Sequence, residues 1–354
     1  MISLCKLSDE VAKSIKGRLV ALLKKTIGTL LKIALATGLV SWLVVTKKIT
    51  LEPFRLLVGV PWLIPFFLTV TFILIVVNNY RWLLLLQGQR IKTGMRQTLP
   101  LTFIGLFFNM AMPGSVGGDV IKAYFIVQEH PGTKLRAATS VLMDRIVGLY
   151  AMALIALFAV IVNVEKIKNI PNLRGLAFFI LFLVFSFTIF FVIGFSSRVR
   201  SHKATHQILG RIPLGRLIEK IYDAIHAFRS GKIQFLAGIA LSVFVQISSI
   251  LSFFVLANAL HYQNLSLSSF FFIIPLGLIA TAIPISPAGI GVGQAVFLAL
   301  FTWYQGSEST LGPTLITISQ VSQASLGVIG AILYMLRKSP SSHKSPELES
   351  VRSG

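Results

Sequence analysis

The run GLAFFILFLVFSFTIFFVIGFS, residues 175–196, contains no charged side chain. At 1.5 Å per residue, a helix over it is about 33 Å long, which exceeds the roughly 30 Å hydrocarbon core of a bilayer. Water is absent from that core, so a spanning chain must satisfy its own backbone as a helix or a closed barrel. Comparable runs recur near 27–46, 56–78, 139–162, 233–260 and 313–336. The sequence therefore predicts an all-α, polytopic integral membrane protein with about six spanning helices. Only 13% of the 354 residues are charged, about half of what soluble domains carry, and the mean hydropathy is +0.80.

Two further apolar stretches, 97–118 and 268–305, are interrupted by Pro and Gly. If each is a re-entrant hairpin that enters and leaves on one side, the charge pattern closes. Of the 33 Lys and Arg, 25 then fall in the N-terminal tail, the 79–138 region, the 197–232 loop and the C-terminal tail. Basic residues concentrate in cytoplasmic loops, so both termini are expected in the cytoplasm of a multi-pass protein of the inner (plasma) membrane. The same scheme divides the chain into a basic tail (1–26), a first membrane repeat (27–162) with its broken hairpin near 97–127, and a second repeat (163–336). The second has its broken hairpin near 268–305, and a disordered cytoplasmic tail (337–354) follows it. Each repeat reads span, span, broken hairpin, span from opposite sides, which is the pattern of an inverted-topology repeat. Between them, Leu214, Leu217, Ile218, Ile221, Ile225 and Phe228 recur at helical spacing. This predicts an interfacial cytoplasmic helix near 207–228 whose basic residues face headgroups.

The net charge of +21 is accounted for by these loops and implies no nucleic-acid partner. Cys5, the lone cysteine, has no disulfide partner in the chain. The first 26 residues lack the apolar core of a cleaved signal peptide. His202 and His206 have metal-compatible spacing but no acidic third ligand in their basic loop. No nucleophile elbow, carboxylate pair or cysteine cluster occurs, so the reading is a non-enzyme with no catalytic residues, no metal site and no cofactor.

The chemistry concentrates at the breaks. In FNMAMPGSVGGDVIKAYF, residues 108–125, Pro113 ends the incoming helix, and Gly114, Gly117 and Gly118 permit close or left-handed backbone. Asp119 is placed to cap a helix over Val120–Val127, whose N-terminus is suited to an anion. In PISPAGIGVGQA, residues 284–295, Pro284 and Pro287 precede Gly289, Gly291 and Gly293, and Gln294 opens the next apolar helix. Neither break has P-loop or dinucleotide-loop spacing. Ionisable residues in a membrane are functional candidates because placing them there costs several kcal/mol. Asp119 and Asp144 are two of only four aspartates, and Arg145 follows directly. Neighbours on a helix diverge by about 100°, so Arg145 is expected to pair with Asp119 or a lipid phosphate, and Asp144 with Lys122 or a backbone group.

Three ordered motifs resemble the flippase-like membrane domain family, that of the lysylphosphatidylglycerol synthase transmembrane region. They are Asn109 with Pro113-Gly114-Ser115-Val116-Gly117-Gly118-Asp119 and Lys122, then Asp144-Arg145-Ile146-Val147-Gly148-Leu149, then Pro284 through Gly293. The resemblance covers roughly residues 25–336. It departs at Lys122, where the family often has Arg, and at Gln294, where it often has Glu. Lys122 still meets a phosphate as a point charge, whereas Gln294 removes a carboxylate from the second break.

The resemblance implies lipid translocation without synthase activity. The expected substrate is an anionic phospholipid, aminoacyl-lipid or polyprenyl/glycolipid, held between the breaks by Asn109, Pro113, Gly114, Gly117, Gly118, Asp119, Lys122, Asp144, Arg145, Pro284, Gly289, Gly291, Gly293 and Gln294. The alternatives are a non-transporting partner of a separate glycosyl- or aminoacyl-transferase acting on envelope lipids, and a small-solute secondary transporter. Homo-oligomerisation is left open. The topology predicts that a cysteine replacing Ser307, in a Cys5→Ser background, reacts with a membrane-impermeant maleimide from outside intact cells. Labelling only after the cytoplasm is opened would overturn it.

Overall fold

The computed structural model describes residues 59–111, 117–196, 222–262, 265–283, 287–307 and 309–337. The chain divides into two compact units, Met1–Lys48 with Ala331–Gly354, and Ile49–Gly330. Of the first unit only residues 331–337 are described, and the account below concerns the second. The expected 27–46 span, Cys5, both tails and most of the 207–228 helix lie outside the described residues. The remaining part, 222–226, is helical.

Among the described residues the protein is all-helical, as the apolar runs predict. The helices are α1 (Leu63–Gly88), α2 (Met95–Ala111), α3 (Gly117–Glu129), α4 (Lys134–Val162), α5 (Val164–Asn169), α6 (Pro171–Phe195), α7 (Lys232–Ala259), α8 (Leu267–Thr281), α9 (Val292–Gln305) and α10 (Leu311–Leu336). Short 3₁₀ turns cover Ala227–Gly231 and Pro287–Gly289. Five helices, α1, α4, α6, α7 and α10, are long and apolar enough to cross a membrane. On α6, Phe178, Phe182, Phe185 and Val192 are each about two-thirds exposed. They share one face at helical spacing, while Leu173, Ala177, Ile180 and Gly194 are buried. Such a continuous exposed apolar face is unfavourable in water and suits a helix bordered by acyl chains.

One boundary differs from expectation. The span anticipated over 56–78 is a helix from Leu63 to Gly88, so Arg81, counted above as a loop residue, lies inside it. The helix continues because its polar side chains find partners. Asn79 donates to Thr98 Oγ1 (3.1 Å) and accepts from Thr102 Oγ1 (2.7 Å), and Arg81 is bonded as described below. Arg90, with φ of 58°, stands just beyond its end.

Both broken stretches fold as helical hairpins. In α2–α3, Gly105 faces Gly118 and Lys122, and Asn109 faces Gly118; in α8–α9, Phe270 meets Phe301 and Gly277 meets Phe297. The contacts run in opposite directions along the two arms of each pair. At 13 to 17 residues, each arm is too short to cross a 30 Å core alone. The first arms, α2 and α8, each contain a proline, Pro100 and Pro275.

The packing between the two halves is reciprocal. α1 lies along α7, and α4 packs on α8, while α10 packs on α2 through Gly327 and Gly330 against Phe103 and Phe107. The main core joins Phe67 of α1, Phe253 of α7, Phe270 and Phe272 of α8, Phe297 and Phe301 of α9 and Leu315 of α10. With no hydrophobic drive between helices in lipid, such contacts rely on small residues that allow close approach. Gly118 is the clearest case, since a Cβ there would stand 2.6 Å from the Gly105 carbonyl carbon. Gly118→Ala is expected to cost about 1–3 kcal/mol by overpacking, whereas Gly175→Ala, with open space around it, should leave the thermal unfolding midpoint in detergent unchanged.

Candidate functional site

The first break is built on α3, whose first turn holds Gly117, Gly118 and Asp119. The expectation that Asp119 caps a helix starting at Val120 is corrected, because α3 begins three residues earlier, at Gly117. The Gly118 amide is satisfied by Asn109 Oδ1 at 2.9 Å, so Asn109 ties the end of α2 to the start of α3. Asp119 is thereby released for another partner, and its Oδ2 accepts from Nε of Arg145 on α4. Its Oδ1 lies 4.0 Å from Lys122 Nζ, one turn further along α3.

Lys122 is the least satisfied member of this group. Its side chain is only 13% exposed, and its ammonium sits 4.9 Å from the centroid of the Trp82 ring, a cation–π contact. The carboxylate it faces is already bonded to Arg145. Two buried or half-buried cations thus share one described carboxylate beside the N-terminus of α3. Trp82 itself is fully buried, and its indole Nε1 has no hydrogen-bond partner among the described residues. A cation with no acceptor closer than 4.0 Å among the described residues and an orphaned buried donor are complements of an anion.

Asp144 does not pair with Lys122. Its Oδ1 accepts from Arg81 Nε at 2.7 Å, with both residues buried. Arg81 Nη1 also donates to Ser242 Oγ of α7 at 3.1 Å, so one guanidinium joins α1, α4 and α7. Gly148 and Gly238 make room, since a Cβ on Gly148 would stand 3.3 Å from the guanidinium. The physical reason for the corrected pairing is rotational. Asp144 and Arg145 point about 100° apart, and α1 and α3 lie on those two different sides of α4.

The second break has a different internal economy. Ala288, Gly289 and Gly291 all have positive φ, 49°, 69° and 87°, so the chain turns sharply between α8 and α9. Gln294 sits in the third position of α9, just inside the helix it was expected to open. Its Oε1 accepts from the Gly291 amide at 2.7 Å, and its Nε2 donates to Gln320 Oε1 (2.8 Å) and Thr317 Oγ1 (3.1 Å) of α10. Gln320 in turn donates to the Ala288 carbonyl at 3.2 Å. Gly293 lets α9 approach Ile316 and Gln320. The 3₁₀ turn Pro287–Gly289 packs against α2, the arm that carries Asn109, so the two hairpins meet.

Of the residues expected at a site, the structure therefore groups Asn109, Gly117, Gly118, Asp119, Lys122 and Arg145. Asp144 belongs to a neighbouring ion pair. Gly289, Gly291, Gly293 and Gln294 hold the second break together. Pro113, Gly114 and Pro284 lie outside the described residues. Arg81, Trp82, Asn79, Ser242, Thr317 and Gln320 were not anticipated. The one available signal was at Arg81, which is followed by the apolar run WLLLL and so reads as a charge inside a continuing helix. Among the described residues no group of three His, Cys, Asp or Glu is placed to hold a metal ion.

Breaking the Arg81–Asp144 pair from one side leaves a buried unpaired charge. Asp144→Leu is expected to destabilise by about 3–5 kcal/mol, and Arg81→Met added to it should recover most of the loss in detergent melting measurements. Additive losses would show that the two residues are not coupled.

A family model described as the lysylphosphatidylglycerol synthase TM region matches residues 29–330. No curated protein and no solved structure matches the chain.

Proposed function

The chain belongs to the family of the lysylphosphatidylglycerol synthase transmembrane region, a multi-pass membrane protein of flippase-like, lipid-handling type, and from that premise we propose that it moves an anionic lipid between leaflets. The lipid is a phospholipid, aminoacyl-lipid or polyprenyl/glycolipid, and the protein acts without catalysing a covalent reaction. The observation that carries this reading is Lys122. A largely enclosed ammonium, its side chain 13% exposed, whose nearest described carboxylate, Asp119, is already bonded to Arg145 has protons to offer a phosphate.

Several features support the reading. The cationic group stands where a hairpin breaks, and irregular backbone at membrane depth is tolerated where it lines a wet or protein-enclosed space. Hairpin arms too short to span, and two sets that each lend their last helix to the other's hairpin, suit an inverted repeat with its site at the broken elements. Acyl chains remain in lipid along the exposed apolar faces. Asp119 orients Arg145 and Lys122, which hold the phosphate while it passes the low-dielectric midplane. The concentration of basic residues in the loops supports a reading with both termini in the cytoplasm of the inner membrane.

Reconstitution in liposomes tests this, with fluorescent anionic lipid in one leaflet and a membrane-impermeant quencher outside. Lys122→Ala and Arg145→Ala are each expected to lower the translocation rate about tenfold or more, the worth of a lost charge-assisted hydrogen bond. Asp119→Asn should lower it by misplacing both cations. Equal translocation with and without protein would sink the proposal.

A further inference from the structure

Away from the hairpin group, at the end of the bundle where α1 finishes and α4 and α7 begin, two cavities adjoin. The first, of about 510 Å³, is lined by Gln89, Arg90, Arg136, Asp223, His226 and Arg229, among others. Its arginines come from three separate places: the residue after α1's C-cap, the first turn of α4, and the 3₁₀ turn before α7. Gln89 is 1% exposed. Its Nε2 donates to the Ala224 carbonyl at 2.6 Å, but its Oε1 is buried with no donor among the described residues. An unmet buried acceptor is costly. In a cavity lined by three arginines and one carboxylate, Asp223, it calls for a ligand that carries both an anion and a hydrogen-bond donor. Arg90, at φ 58°, is the left-handed residue that closes the end of α1, where the Ile91 amide donates to the Leu86 carbonyl at 3.0 Å.

The second cavity, of about 700 Å³, is an apolar slot between α4, α6 and α7, lined by Tyr150, Phe191, Phe195, Phe235, Leu236 and Ile239, among others. Phe191, Phe195 and Phe235 form mutual edge and tilted ring contacts. Arg229 lines both cavities, and Lys232 stands beside it in the second. A cationic pocket and an aromatic slot that share an arginine match the two ends of one amphiphile. We propose that this pair of cavities is a binding site for a single phospholipid. Its phosphate lies among Arg90, Arg136 and Arg229, a headgroup hydroxyl or ammonium donates to Gln89 Oε1, and one acyl chain fills the slot. The phosphate of such a lipid also takes fork-shaped donors from Arg better than from Lys. The site is separate from Lys122 and Arg145, and it does not depend on translocation occurring.

Binding is measured without transport, on the purified full chain in detergent, by native mass spectrometry with added lipid. The probes are phosphatidylglycerol, phosphatidylmethanol (an anionic phosphodiester without a headgroup donor) and phosphatidylcholine, with glycerol 3-phosphate as a chain-free competitor. Phosphatidylglycerol should bind about tenfold or more tightly than phosphatidylcholine, the scale of one charge-assisted hydrogen bond. Arg136→Gln combined with Arg229→Gln should remove that preference while the melting temperature stays that of the wild type, since both residues are exposed. Gln89→Leu should erase the smaller preference for phosphatidylglycerol over phosphatidylmethanol. An unchanged phosphatidylglycerol affinity in the double variant would overturn the site. Displacement of phosphatidylglycerol by equimolar glycerol 3-phosphate would assign the pocket to free phosphate esters and overturn the lipid assignment. Loss of translocation in the hairpin variants with lipid binding here intact leaves this proposal standing.

Discussion

The buried bond between Arg81 and Asp144 is the constraint around which the described helices are arranged. Neither charge is tolerable alone in a low-dielectric interior. Together, with Ser242 taking a second guanidinium proton, they become a neutral cross-link among α1, α4 and α7. This bond explains why α1 runs on to Gly88 past a position that composition alone would place in a loop. Gly148 leaves the guanidinium its space, since a Cβ there would stand 3.3 Å from Arg81 Nη1. A buried pair of this kind contributes little net stability compared with apolar residues of the same size. Its contribution is to specify which face of α4 meets which neighbour.

That specification sets the site. With Asp144 turned toward α1, Arg145 must point about 100° away, toward the start of α3, where it meets Asp119. The hairpin is closed tightly enough for this by the Gly105–Gly118 approach and by Asn109 holding the Gly118 amide. Lys122, one turn later, is left over Trp82 with a carboxylate already in use. The second hairpin is organised by a neutral group. Gln294 and Gln320 satisfy the turn and each other, so the two breaks, similar in Pro and Gly content, differ in charge. That asymmetry is what places the anion-binding reading on the first break.

Much of this was legible in the chain. Uncharged runs located four of the five long described helices to within a few residues, because a span's length is dictated by membrane thickness. Paired Pro and Gly clusters located both hairpins, because those residues cannot continue a helix unperturbed. The Asp119–Arg145 pairing also followed from helix rotation and the scarcity of acids. What failed were the pairings made through Arg81, whose partners lie on helices distant in the chain. Arg81 and Ser242 are 161 residues apart, and Asp144 was assigned to Lys122 because Arg81 was placed outside the helix. Gly118 and Gly291 were expected to line the substrate site, but their N–H groups are bonded to Asn109 and Gln294.

The sequence by itself determined the class of solvent, the helical secondary structure and the positions of the breaks, since these depend on local hydrophobicity and on backbone restrictions at Pro and Gly. Tertiary structure alone decided which charges neutralise one another, which amides are spent internally and which cation is left without a close acceptor. It also brought three scattered arginines to one cavity that shares Arg229 with an aromatic slot between α4, α6 and α7. A buried charge is satisfied by whatever lies within hydrogen-bonding reach, and in a helical bundle that reach is set by rotation and packing between helices far apart in the chain.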